Sequence, residues 1–279
     1  MGAPEVRRIA VVGIDGGGKS TLVRRFLASA PTTRTQVLTC PLYHETPNAP
    51  LGELSRHLER LSHAADRMGS VPLKAAALYL QMSLYGLVEG CLVDAFRPQV
   101  LLSERHAVVG TLAYATLYAP WLSQAPQAPS DPGQVRALLA QALGEEGLAQ
   151  VAGFVEAEGQ RLGKDWDLGS MGLSVARDLA QPWTGRVAAL CRAYRTDLPD
   201  VVAILDLPGE VARARISGRQ AGDAPEEMHE RTELLETLRQ AYLEVGRRLA
   251  QQHHVRVHVI DATGDEASLD EAVQALHAD

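Results

Sequence analysis

An α/β fold with a parallel sheet is predicted for this chain by three observations. Short apolar runs of strand type alternate with longer helical runs. One strand-to-helix junction carries the pattern Gly13-x-x-x-x-Gly18-Lys19-Ser20. Polar and charged residues gather where the strand runs end: Asp15, His44-Glu45, Glu104-Arg105, Asp206 and Asp261. In an open α/β sheet, ligands sit at that end of the strands.

The elements follow in order. Ile9-Ala10-Val11-Val12 is a strand run, and Leu22, Val23, Phe26 and Leu27 mark the helix after the glycines. Thr35 to Cys40 is a second strand, running into a proline-rich loop at 41–50 where a substrate could be met. A helix is expected from Leu51 to about Arg67, with Leu51, Leu54, Leu58 and Leu61 on one face. A second helix runs from Pro72 to Phe96, and Pro98 closes it. Val100 to Ser103 is a third strand, ending in Glu104-Arg105-His106, and an apolar helix continues to about Tyr118.

The stretch 120–182 differs. It holds Pro126, Pro129 and Pro132, a helix near 134–160, and Trp121 and Trp166, with Trp183 just beyond. It reads as a mainly helical insertion within one domain spanning 1–279, because strand and helix alternate again afterwards. A helix near 185–196 leads to the strand 200–206. The next helix passes into the basic run Arg213, Arg215, Arg219, flanked by Gly218 and Gly222. A long helix at 226–252, a last strand at 255–261 and a final helix capped by Ser268 complete the chain.

The glycine junction is a phosphate-binding loop by pattern and context. Its glycines let successive backbone N–H groups point inward, and the following helix aims its positive end at the same place. Lys19 supplies a full charge for terminal phosphates, and Ser20 a hydroxyl for Mg²⁺. Glu104 ends a hydrophobic strand, where an acid can hold Mg²⁺ or accept a proton from an attacking group. Arg105 can bridge phosphates. His106 reads as packing. The arginines of 213–226 suit a lid that brings charge only when substrate is bound. Asp206-Leu207-Pro208-Gly209 reads as a strand end, not a nucleotide switch, and His253, His254 and His258 read as structural.

Composition narrows the classes. The chain has 279 residues, 46% hydrophobic and 22% charged, enough for a sizeable core. A formal charge of −7 argues against a nucleic-acid polymer as partner. Cys40, Cys91 and Cys191 fit neither a zinc site nor a disulfide framework, so a reducing cytoplasm is expected. The first residues do not read as a signal peptide, and no apolar run is expected to reach membrane length.

Together these pieces resemble the thymidylate kinase family of P-loop kinases. The loop Gly13-Ile14-Asp15-Gly16-Gly17-Gly18-Lys19-Ser20-Thr21 is similar to that family's phosphate loop, including its acid. His44 to Arg56, Ser103 to Tyr114, Pro199 to Val211, Leu238 to Glu244 and Ile260 to Ala262 resemble further family segments. The likeness covers about 1–119 and 195–279. It implies a three-layer P-loop kinase fold with a five-stranded parallel sheet and a helical lid, with ATP and Mg²⁺ as cofactors. It implies that Arg105 contacts the acceptor phosphate and that Asp15 holds the acceptor sugar. His44 and Glu45 would face the acceptor, Ala262 the adenine, and Arg215 and Arg219 would attend the transfer. A homodimer is implied in the same way.

The chain also departs from the pattern. His44 stands where the family has arginine, the family's Asp-Arg pair falls near Met82-Ser83, and the second lid arginine falls at Ala224. A dianion taken out of water needs compensating charge. The acceptor expected from the resemblance is a nucleoside monophosphate such as dTMP. Glu104 in place of Asp moves the chain toward deoxynucleoside kinases, whose acceptor is a nucleoside. Another small alcohol is a further option. A nucleotide-binding regulatory protein without transfer activity is the alternative from another class, and a nucleic-acid-coupled ATPase is a third.

Overall fold

The computed structural model describes residues 6–29, 33–124, 132–219, 232–264 and 266–278. Five parallel strands form one sheet in the order β2-β3-β1-β4-β5: β1 (Arg7–Val12), β2 (Thr35–Thr39), β3 (Val100–Glu104), β4 (Val201–Asp206) and β5 (Arg256–Asp261). The α/β class with a five-stranded parallel sheet is therefore as the sequence predicts. Ile9 to Val12, Val100 to Leu102 and Val201 to Leu205 are buried, as in strands covered on both faces. β1 pairs with β3 on one side and β4 on the other, so the winding reverses at β1. Such a reversal opens a crevice at the carboxyl ends, and the glycine loop leaves β1 there.

The helices are α1 (Lys19–Ser29), α2 (Gly52–Met68), α3 (Val71–Ser83), α4 (Tyr85–Phe96), α5 (Ala107–Gln124), α6 (Pro132–Leu162), α7 (Met171–Leu179), α8 (Trp183–Tyr194), α9 (Gly209–Arg219), α10 (Thr232–His253) and α11 (Glu266–Ala278). The chain divides into two compact units. One comprises 1–40, 89–114 and 197–279, and contains the whole sheet; the other comprises 41–88 and 115–196.

The second unit is helical. α2 packs against α3 and α6, and α3 against α7 and α8. The segment read as an insertion thus shares a core with α2 and α3. Tyr79 meets Trp166 and Tyr194 edge-on, with ring centroids 5.7 and 5.2 Å apart. Glu158, 2% exposed, is ionically paired with Arg195 at 2.5 Å and Arg161 at 2.7 Å. Lys74 is buried against Ser62 and Asp66, at 2.8 and 2.5 Å.

Several boundaries differ from the sequence expectation. The helix expected over 72–96 is interrupted at Leu84, whose N–H bonds to Gln81 three residues back. Just beyond, the carbonyls of Tyr194 and Arg195 lie against Gly86, an approach that a β-carbon would block. The helix near 134–160 runs from 132 to 162, broken at Gly144 with φ 76°. Ser268 lies inside α11 rather than capping it. The stretch Val71–Phe96 does reach membrane length with mean hydropathy 1.3, but 67% of that window is buried within the fold, as core helices are. The free cysteines are Cys40, Cys91 and Cys191.

Candidate phosphate-binding site

Residues 13–18 link β1 to α1 as the motif requires. Two glycines are demanded by geometry. Gly13 has φ 140°, and a β-carbon there would lie 2.7 Å from the Leu205 carbonyl oxygen. Gly16 has φ 78°, and its β-carbon would lie 2.6 Å from the Ala212 carbonyl oxygen. Both conditions exclude larger residues: the backbone conformation is strained for L side chains, and the neighbour is backbone. The loop is therefore seated directly on the end of β4 and the first turn of α9. Gly17 N–H bonds to the Ile14 oxygen at 3.2 Å, and Thr21 and Leu22 N–H to the Gly18 oxygen at 3.0 and 3.1 Å, which closes the loop into the first turn of α1.

Lys19 folds back over this loop. Its Nζ donates to the Gly13 and Ile14 oxygens at 3.1 and 2.8 Å and reaches Asp15 Oδ1 at 3.4 Å. Only 5% of the residue is exposed. Burial, reinforced by the nearby Arg105 charge, lowers its pKa from 10.5 to about 8, against the opposing pull of Asp15 and Glu104. Lys19 is thus a cation stored among carbonyl dipoles with too little counter-charge, and a polyphosphate would supply it.

Asp15 is shared. Arg105 Nη2 donates to the same Oδ1 that Lys19 approaches. Arg105 follows β3 with φ 63°, a left-handed conformation that costs a non-glycine residue about 1 kcal/mol. Its N–H donates to the Val11 oxygen at 2.8 Å, so the kink is hydrogen-bonded into the neighbouring strand. Burial alone would lower the Arg105 pKa, but Asp15, Tyr114, Tyr242 and Glu104 together outweigh it, raise the pKa and keep the guanidinium charged. Glu104 lies opposite Val11 in the β1–β3 register, and its Oε1 accepts the Ser20 hydroxyl at 2.8 Å. Asp15, Lys19, Ser20, Glu104 and Arg105 form one contiguous polar group, from residues up to 90 positions apart.

Among the described residues, no three or more His, Cys, Asp or Glu side chains converge on a metal position. The Ser20–Glu104 pair nevertheless fits Mg²⁺, which takes one or two protein oxygens and fills its shell with water and phosphate. His106, 1% exposed, accepts the Val108 N–H at Nδ1, and burial holds its pKa down to about 3. That agrees with a packing role.

On the far side of the loop, Arg215 Nη2 donates to the Ala262 oxygen at 3.0 Å, and Ala262 N–H bonds to the Asp206 oxygen at 2.9 Å. Arg213 and Arg215 lie on α9, and Arg219 closes that helix. The expected lid beyond 219, with Ala224, lies outside the described residues. His44 and Glu45 belong to the second unit. There His44 meets Ser55 Oγ at 2.9 Å through Nδ1 and Glu59 Oε2 at 3.6 Å through Nε2, while Glu45 is exposed.

Two groups escaped the sequence reading. Arg239 on α10 binds Asp206 and Glu236, and Tyr242, 1% exposed, leaves its Oη without a hydrogen-bond partner among the described residues. The run Leu238–Glu244 stood out only as a family-like helix; nothing local says that Arg239 faces Asp206.

No family model matches the chain, and no curated protein matches it. Among the solved structures that resemble it is a deoxyadenosine kinase from M. mycoides, described with the products dCMP and a flexible dCDP bound. The likeness has 13% identity and a TM-score of 0.49, and covers 98% of this chain and 100% of that one. At that level it assigns neither a substrate nor a residue role to this chain.

Proposed function

We propose that the chain is an ATP-dependent phosphotransferase acting on a nucleoside, a nucleoside monophosphate such as dTMP, or a related small acceptor. The observation that carries this reading is the Asp15 carboxylate shared by Lys19 of the phosphate loop and Arg105 at the end of β3. Donor-side and acceptor-side cations are there held on one anion beside the Ser20–Glu104 pair.

When ATP binds, its terminal phosphates replace the carbonyl oxygens around Lys19 and restore the counter-charge that burial denies it. The loop amides and the N-terminus of α1 hold the same phosphates. Bound at Ser20 and Glu104, Mg²⁺ would neutralise charge on the β- and γ-phosphate oxygens. Arg105 then has a second anion to choose, and release from Asp15 turns it toward acceptor or γ-phosphate oxygen. Asp15, freed, accepts a hydroxyl of the acceptor. The acceptor oxygen attacks the γ-phosphate in line as the bond to the β-phosphate oxygen breaks and ADP leaves; its proton passes to a carboxylate, and Glu104 takes that role where it holds Mg²⁺ only through water. The arginines of α9 meet the charge that develops.

Glu104 as a base suits a nucleoside hydroxyl more than a phosphate, which is already ionised. The nucleoside acceptor is therefore the second specific reading. The three free thiols go with a reducing cytoplasm. The test is a panel of nucleosides, nucleoside monophosphates and small alcohols, assayed with ATP·Mg²⁺ for ADP release and phosphorylated product. Product from one acceptor, lost in Lys19→Ala and reduced about 10²–10⁴-fold in Glu104→Gln, is expected. ATP binding without product from any acceptor would replace this reading with a nucleotide-binding regulatory protein.

A further inference from the structure

The turn between β4 and α9 carries a side-chain clamp that the chemistry above does not use. Arg239 on α10 grips Asp206 with two bonds, Nε to Oδ1 at 2.5 Å and Nη2 to Oδ2 at 3.1 Å. Its Nη1 donates to Glu236 Oε1 at 2.8 Å. The other oxygen of Glu236 accepts the N–H of Gly209, the first residue of α9, at 3.1 Å. Four segments meet here: the end of β4, the start of α9, α10, and the turn after β5 through Ala262.

We infer that Arg239 is a positioning residue of the donor site, fixing through Asp206 and Glu236 the helix that lies on the phosphate loop and carries Arg215. The inference rests on the kinase reading for its catalytic consequence.

The reasoning is geometric. α9 touches the loop at a place where no space is left, Ala212 oxygen over Gly16. Arg215 on the same helix holds the carbonyl of Ala262. A small shift of α9 therefore moves both the loop wall and the Arg215 contact. A guanidinium fork fixes an angle as well as a distance, which a single lysine charge does not. Glu236 satisfies one of the amides that every helix start leaves without an internal partner, and it does so from another helix. Cohesion has a separate source: Leu235 and Leu238 of α10 and Ala212 and Ile216 of α9 are buried. The clamp side chains keep about a quarter of their surface or more in solvent, where ion pairs add little to stability. Misplacement by about 1 Å, by contrast, can cost a reaction about 10²-fold.

The experiment compares wild type, Arg239→Leu, Arg239→Lys and, as control, Glu244→Gln, which breaks exposed pairs with Arg247 and Arg248 on the same helix. Amide hydrogen exchange without nucleotide reads position alone. Amides of Gly209–Arg219 should exchange at least tenfold faster in Arg239→Leu, those of Leu235–Leu249 unchanged, and Arg239→Lys should fall between. Should Arg239→Leu fail to fold, Arg239→Lys carries the same comparison. With the acceptor found by the panel, kcat should fall about 10–100-fold in Arg239→Leu, with acceptor KM within twofold of wild type and Glu244→Gln unaffected. Unchanged α9 exchange in a folded Arg239 variant overturns the inference, and so does an equal kcat loss in Glu244→Gln. Absence of transfer by wild type counts against the kinase reading only, because the exchange result still decides whether Arg239 positions α9.

Discussion

Replacing Lys19 with Met should make the ligand-free protein more stable at neutral pH while abolishing its response to ATP. Burial lowers the Lys19 pKa from 10.5 to about 8. That lowering corresponds to about 3 kcal/mol of disfavour for the charged form. Methionine has a similar length and no charge, but leaves the Gly13 and Ile14 carbonyls without their donor, a loss of about 1–2 kcal/mol together. At pH 7 the variant should therefore be about 1–2 kcal/mol more stable than wild type. The sign of the pH dependence follows from the same shift. Between pH 8 and 10.5 the unfolded chain holds a proton that folded Lys19 has lost, so wild type gains stability as pH rises. The variant lacks this gain, and the two curves should cross on the alkaline side. Urea titrations of both proteins across pH 7–10 measure the difference, and effects common to both cancel. In parallel, ATP·Mg²⁺ at a hundred times its Kd should raise wild-type stability by about 2.7 kcal/mol and the variant's hardly at all. A Met variant less stable than wild type at pH 7, with no difference in pH dependence, would show that Lys19 is a structural tie. Undiminished ATP protection would remove it from the phosphate site.

Three further outcomes are expected. Gly16→Ala should destabilise the fold by about 1–3 kcal/mol and abolish ATP binding, since φ is 78° and the Ala212 oxygen lies 2.6 Å from the new carbon; urea denaturation and calorimetry check both parts. Because burial holds His106 neutral, its folded pKa is about 3 against 6.5 unfolded, so the unfolded chain takes up a proton first as pH falls. Stability should then drop between pH 6.5 and 3, and His106→Leu should flatten that limb of a thermal-unfolding profile. Glu158→Ala, which strips Arg161 and Arg195 of a 2%-exposed carboxylate, should cost about 3–5 kcal/mol in thermal unfolding, with ATP binding in the first unit retained.

The two kinds of prediction differ in how far apart their residues lie in the chain. Gly13, Gly16 and Lys19 sit within seven positions, and their job is set by bonds of short range: positive φ, amides turned inward, a helix start. Such a site can be read before any fold is known. The buried strand runs could also be read, because strands covered on both faces must be apolar along their whole length. The helix break at Leu84 could not, nor the glycine at 86. Nothing in Tyr85-Gly86-Leu87 announces the carbonyls of Tyr194 and Arg195 that press on it.

What the sequence determined by itself is the glycine loop between β1 and α1, the α/β alternation and the placing of Glu104 and Arg105 at a strand end. The tertiary structure decided which of these groups meet. Asp15 and Arg105 are 90 residues apart, and they pair because β1 and β3 are neighbours in the order β2-β3-β1-β4-β5. Asp206 and Arg239 are paired likewise, by the packing of α10 beside β4. Strand order depends on which crossovers bury the most apolar surface together, a property of the whole chain that no local pattern records.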